Sequence, residues 1–224
     1  MKRVNVYFVT DGRLSCLQRS LESFYENVKY YFNDVLIIND CIDPNFVREV
    51  DILCEHYNIK AIHHPEKRGF SGAYNSAFSA MNRLTADYYF GCEDDFLFNE
   101  KINIQEMIDI LEYDRNLVQV CLKRQAWSEE EKAVGGIIEK RPDDCTNKES
   151  ENLKWTEHRL FFSTNPNLVP RWVIERGWDI RDSSEGMFSI ELFRNFNYKS
   201  AFLGHKFDAP KVTHIGEIRN GFGY

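Results

Sequence analysis

Along the first half of the chain, short apolar runs alternate with stretches in which apolar residues recur every three or four positions. Residues 4–9 read as a strand, and Leu14, Leu17, Leu21, Phe24 and Tyr25 then mark one face of a helix. The continuous apolar run 35–38 is what a strand covered on both faces requires. Phe46, Val47, Val50, Leu53 and Cys54 outline a second helix, residues 59–63 a third strand, and Ala73, Ala77, Ala80 and Met81 a third helix before the strand 88–92. This βαβαβαβ order predicts an α/β, Rossmann-like fold: a mostly parallel central sheet flanked by helices.

The regularity weakens after a helix at 102–111 and a strand at 117–122. Residues 128–154 are highly charged, carry Gly135-Gly136 and Pro142, and lack an amphipathic period; they read as a loop, either a mobile lid or a surface insertion. Order returns at 160–162, at a helix near 170–176, at a helix over 185–196 and at Val212-Thr213-His214, before a Gly-rich, aromatic tail. No repeat or linker interrupts the chain, so its 224 residues are expected to form a single domain.

Composition narrows the function. With 28 basic against 35 acidic residues the net charge is −7, which argues against a general nucleic-acid binder. Six cysteines without C-x-x-C spacing predict reduced core thiols and neither a zinc site nor a disulfide framework. Met1-Lys2-Arg3 and the apolar run behind it imitate a signal peptide, but the run is short and meets Asp11 and Arg13 at once. No segment approaches the ~20 apolar residues of a membrane span. A soluble, cytoplasmic protein is the expectation.

The chemistry gathers at strand ends. The apolar run from Tyr88 stops at Glu93-Asp94-Asp95 and resumes at Phe96-Leu97-Phe98. Alone, three such acids fit a solvated turn better than a site; their neighbours reverse that reading. Three other pieces share the expected sheet edge: Thr10-Asp11-Gly12-Arg13 leaving strand one, Asn39-Asp40-Cys41-Ile42-Asp43 ending strand two, and Lys67-Arg68-Gly69-Phe70-Ser71-Gly72 entering a helix. In open α/β sheets that edge binds ligands. Asp40 also fits a simple turn closure, the glycines fit ordinary packing, and Glu185 after Ser183-Ser184 fits an ordinary helix start.

The order of these segments resembles the family-2-like glycosyltransferases of the GT-A fold, over residues 4 to about 216 with 120–160 unassigned. The C-terminal half is similar as well: Ser184-Glu185-Gly186-Met187 resembles an acidic helix start that carries the catalytic base, and Val212-Thr213-His214-Ile215-Gly216 a strand ending in v-x-H-x-G. The resemblance implies a nucleotide-binding half at 1–115 and an acceptor-binding half at 116–224. Thr10 and Asp11 would border the nucleobase, and Asp40 would accept from a uracil N–H. Arg68 and Gly69 would lie near ribose and diphosphate. Asn75 would fix that turn. Glu93 would hold ribose hydroxyls or metal-bound water, with Asp94 beside it. Asp95 would bind Mn²⁺ or Mg²⁺, with His214 a further metal or phosphate contact. Glu185 would be the base, or Asp182 if the register slips, because the motif's usual second acid is replaced by Gly186. Trp127 is the candidate to stack on a sugar.

The implied reaction is metal-dependent, inverting transfer from a nucleotide sugar, a UDP-sugar first, to an acceptor hydroxyl. The acceptor stays open: a protein, a glycan, or a modified nucleobase in DNA. A sugar-1-phosphate nucleotidyltransferase is the alternative enzyme, ranked lower because the turn after strand one has one glycine and no Gly-rich basic loop. A degenerate GT-A domain kept for binding is the non-enzymatic alternative, and Gly186 is its support.

Overall fold

A computed structural model of the chain describes residues 1–216. The Gly-rich part of the tail lies outside the described residues. Strand β1 (Val4–Thr10) is buried along its whole length, with Val, Tyr and Phe at five of its positions and only Asn5 and Thr10 polar. Its side chains alternate between two cores. Val4, Val6 and Phe8 face the layer formed by helices α1 (Leu14–Asn27) and α2 (Pro44–Tyr57). Tyr7 and Val9 face the layer that contains α3 (Gly69–Arg83). Each fully buried Phe or Leu contributes about 1.5–3 kcal/mol, so this two-sided burial fixes the position of β1.

Strand β2 (Val35–Asn39) and strand β4 (Tyr88–Glu93) run parallel to β1 on either side, and β3 (Lys60–His63) runs parallel to β2. The expected βαβαβαβ half is therefore present, with the polar ends of β1, β2 and β4 on one edge. Backbone bonds stitch that edge together: Asp40 N donates to Thr10 O, Asp94 N to Val9 O and His64 N to Asn39 O, each at 3.0 Å.

Beyond β4 the sheet becomes mixed. Helix α4 (Ile104–Tyr113) joins the first core, and β6 (Leu117–Cys121) follows it. Strand β9 (Asn167–Pro170) inserts antiparallel between β4 and β6, and β10 (Lys199–Leu203) lies parallel to β6 on its far side. The charged segment 128–154 is not a single loop. It holds a short helix α5 (Glu129–Val134), a 3-10 turn (Pro142–Asp144), strand β7 (Cys145–Ser150) and the start of β8 (Leu153–His158). β7 and β8 form an antiparallel hairpin that closes the edge of a nine-stranded sheet. Side chains 146–149 of β7 are all exposed, so backbone pairing holds this strand and no apolar period announces it.

Helices α6 (Arg171–Glu175) and α7 (Ser184–Phe193) cover the second face with α3. A two-stranded ribbon, β5 (Phe96–Phe98) with β11 (Val212–His214), sits beside the end of β4 and pairs His214 with Phe96. No helix among the described residues is long and apolar enough to cross a membrane.

Gly91, in the middle of β4, shows how tight the second core is. A Cβ there would lie 2.4 Å from the Tyr7 hydroxyl and 2.5 Å from its ring carbon. Gly91→Ala is expected to lower stability by about 1–3 kcal/mol, read as a shift in the urea midpoint; an unshifted midpoint would show that Tyr7 has room to move.

Candidate active site

The acids at the end of β4 occupy three different environments. Asp94 is fully buried, accepts from the Thr10 hydroxyl at 2.6 Å and pairs with the Arg13 guanidinium. Burial pushes its carboxyl up to about 6, against the opposing pull of Arg13. Asp95 pairs with Arg13 through Oδ2 and shares that oxygen with His214 Nε2 at 3.1 Å. Burial alone would raise Asp95, but the His214 bond and the Arg13 charge hold it below the ordinary value. Glu93 accepts from the Tyr74 hydroxyl at 3.1 Å, and burial, with Asp95 next, pushes it up to about 8.

Glu185 comes from α7, a helix whose own start has no side-chain cap. Its Oε1 accepts from both Thr164 N at 2.7 Å and Thr164 Oγ1 at 3.0 Å. Burial raises Glu185 above the ordinary carboxylate range, and its charge in turn raises Glu93 and Tyr74. Thr164 thus stands where Tyr74, Glu93 and Glu185 meet. Asp182 lies on the exposed turn before α7.

Asp40 is 1% exposed and anchors α3. Oδ2 accepts from Gly69 N at 2.7 Å, while Oδ1 accepts from Arg68 N at 2.8 Å and meets His64 Nδ1 at 2.7 Å. Arg68 supplies no side-chain cap, so a carboxylate from another strand does that work at the positive end of the helix dipole. Gly69, at φ +69°, gives the chain the left-handed turn needed to present both N–H groups. Asn75 Nδ2 donates to Trp178 O at 2.6 Å, and the Ser71 hydroxyl bridges Asp179 O and Arg181 N. The start of α3 is thereby tied to the loop that leads into α7. Arg68 is exposed, and Lys67 Nζ binds Asp11 Oδ2 at 2.9 Å at the rim.

The fit to a divalent cation rests on orphaned atoms. Asp95 Oδ1 and His214 Nδ1 are buried with no hydrogen-bond partner among the described residues. Among the same residues no three His, Cys, Asp or Glu side chains form a ready cage. A hard cation that keeps most of its water and binds phosphate oxygens needs only one or two carboxylates, so Asp95 with His214 beside it fits such an ion. Trp127 packs its ring 3.9 Å from the His214 ring, and Gln125 brackets His214 with two backbone bonds of 2.8 Å.

A family model described as glycosyl transferase family 2 matches residues 7–170, which include the strand ends, the start of α3 and the acid cluster. The chain belongs to this family. No curated protein matches it. Among solved structures it is similar to GalNAc-T7 crystallised with UDP, GalNAc and Mn²⁺, with TM-score 0.68 and 12% identity over 96% of this chain. It is also similar to the mannosyltransferase PcManGT from Pyrobaculum calidifontis in complex with GDP-Man and Mn²⁺, with TM-score 0.64 and 14% identity over 99% of the chain. TarS 1-349 of S. aureus gives TM-score 0.65 and 11% identity over 95%. The chain spans only 44, 59 and 60% of those three proteins. These likenesses show the GT-A fold.

The structure therefore gathers Thr10, Glu93, Asp94, Asp95, His214 and Glu185 at one edge, with Asp11, Arg68 and Gly69 at its rim. It leaves Asp182 on an exposed turn and gives Asp40 an anchoring position. Sequence reasoning gave no role to Arg13, Thr164 and Tyr74, and read His64 as a strand-end residue, which is where its bonds to Asp40 and Ser76 hold it. A lone basic residue in the turn after strand one was the available sign of Arg13; Thr164, in the polar run Ser163-Thr164-Asn165, carried none.

Asp40→Ala leaves Arg68 N, Gly69 N and His64 without their acceptor. The variant is expected to lose about 1–3 kcal/mol of stability with no nucleotide present, together with hydrogen-exchange protection at Gly69. Unchanged stability and protection would mean that α3 is anchored elsewhere.

Proposed function

We propose that this domain is a metal-dependent glycosyltransferase, moving a sugar from a nucleoside-diphosphate donor, a UDP-sugar first, to an acceptor hydroxyl with inversion. The carrying observation is the convergence of Glu185 and the Glu93–Asp95 cluster, through Thr164, on the edge where β1, β2 and β4 end. Residues 1–115 bind the nucleotide and the rest of the chain presents the acceptor. Thr10 and Asp11 border the base. Asp40 retains acceptor capacity on Oδ2 beyond the Gly69 bond, which suits a uracil N–H. Arg68 and the turn at Gly69 lie near ribose and diphosphate, and Glu93 takes ribose hydroxyls.

Asp95 and His214 would hold Mn²⁺ or Mg²⁺, whose chemistry is to neutralise the charge that builds on the departing diphosphate. The acceptor oxygen attacks the anomeric carbon as the bond from that carbon to the diphosphate oxygen breaks. Glu185 takes the proton that the hydroxyl gives up, and Thr164 fixes the carboxylate that receives it. The domain acts in the cytoplasm on a protein, glycan or DNA acceptor, with Asp182, on the exposed turn before α7, as the substitute base. The single glycine after β1 stands against a nucleotidyltransferase. Gly186, where an added Cβ would meet nothing within 4 Å, favours the binding-only reading at the one position where the second acid is missing; donor hydrolysis separates the two.

Three outcomes test the proposal. Asp95→Asn is expected to abolish Mn²⁺-dependent binding of UDP in calorimetric titration while the melting temperature stays near that of the native chain. Unchanged affinity removes Asp95 from the site. Glu185→Gln is expected to slow transfer, or donor hydrolysis where water is the acceptor, by ~10²–10⁴-fold with donor affinity little altered. A base works only when ionised and burial raises Glu185, so native activity is expected to rise with pH through a value above the ordinary glutamate range. An acid limb at or below that range contradicts the assignment.

A further inference from the structure

We infer that Arg13 is the resident counter-charge of the cation position: it keeps the free protein's affinity for a divalent cation low, so that the ion loads together with the donor's diphosphate. The inference rests on Asp95 being the cation ligand. Arg13 stands between β1 and α1, where its carbonyl oxygen accepts from Cys16 N at 3.0 Å and Leu17 N at 2.9 Å and starts the helix. Its guanidinium reaches Asp94 through one nitrogen and Asp95 through the other. Burial works against that charge, but Asp94 and Asp95 outweigh it and hold it firmly protonated.

The two sides of this contact are unequally fixed. The Arg13 side chain is 26% exposed, whereas those of Asp94 and Asp95 are 0% and 3% exposed, so the guanidinium is the partner with a route outwards. Asp94 keeps the Thr10 hydroxyl and the Asp11 N–H when Arg13 turns away. Asp95 keeps His214, and the packing is tight: a Cβ on Gly216 would lie 2.1 Å from Asp95 Oδ2 and 2.7 Å from Arg13 Nη1. A divalent cation bound to Asp95 beside this guanidinium meets a like charge at short range. A diphosphate reverses the balance, because its oxygens attract the cation and the guanidinium together. Arg13 is then a positioning residue that exchanges carboxylates for phosphate as the donor arrives.

The test reads Mn²⁺ binding alone, by loss of the free-ion electron paramagnetic resonance signal with no nucleotide present. R13Q is expected to bind Mn²⁺ at least about tenfold tighter than the native chain, and R13K, which keeps the charge, to stay near it. D95N in the R13Q background returns binding to background. Circular dichroism checks the fold; R13Q/D94N, which removes both charges of the buried pair, replaces R13Q if the single variant unfolds. Equal or weaker binding by R13Q, still sensitive to D95N, overturns the role of Arg13 and leaves the cation site standing. No D95N-sensitive binding in either protein overturns both.

Discussion

Four carboxyl groups, Glu93, Asp94, Asp95 and Glu185, meet where the buried sheet opens, and most of the surrounding polar architecture answers their desolvation and mutual repulsion. The answers differ by group. Asp94 and Asp95 are set against the Arg13 guanidinium, with Thr10 and His214 completing the set. Glu93 and Glu185 pair with no cationic side chain among the described residues and are shifted upwards, held by the hydroxyls of Tyr74 and Thr164. One cluster thus contains a pair of acids set against a cation and a pair set against hydroxyl donors. Transfer of a sugar needs both: charge control at the leaving group and a proton acceptor at the nucleophile.

This arrangement draws on elements remote in sequence, so its placement depends on the two cores. β1 is pinned between them and sets β2 and β4 in register, which brings Thr10, Asp40 and Asp94 level. On the second face, the Asn75 and Ser71 bonds to the loop 178–181 couple α3, whose start faces the proposed diphosphate position, to α7, which carries Glu185. The start of α3 and helix α7 are joined by these hydrogen bonds and by the Trp178 ring stacked on Phe188 at 4.7 Å.

How much of this was legible in the sequence follows from where each element sits. β1, β2 and β4 are covered on both faces, so they read as apolar runs, and the polar residues that end them read as a site. β7 lies at the sheet edge with exposed side chains, and the short β10 and the antiparallel β9 between β4 and β6 follow pairing rules that no local period records. Arg13 is meaningful only once β1 and β4 are known to be neighbours, and Thr164 only once α7 is docked. Asp40 was legible both as a turn residue and as a site residue, and the structure makes it the acceptor for the start of α3.

The central claim is that Asp95, with His214 beside it, is where a cation meets a donor diphosphate. The most direct measurement is anomalous diffraction at the manganese edge from crystals grown with Mn²⁺ and UDP. The account predicts one strong peak at bonding distance from Asp95, next to the His214 ring, with diphosphate oxygens on its other side and the Arg13 guanidinium turned from Asp95 to phosphate. A peak away from Asp95, or UDP bound at this edge with no peak at all, would contradict it.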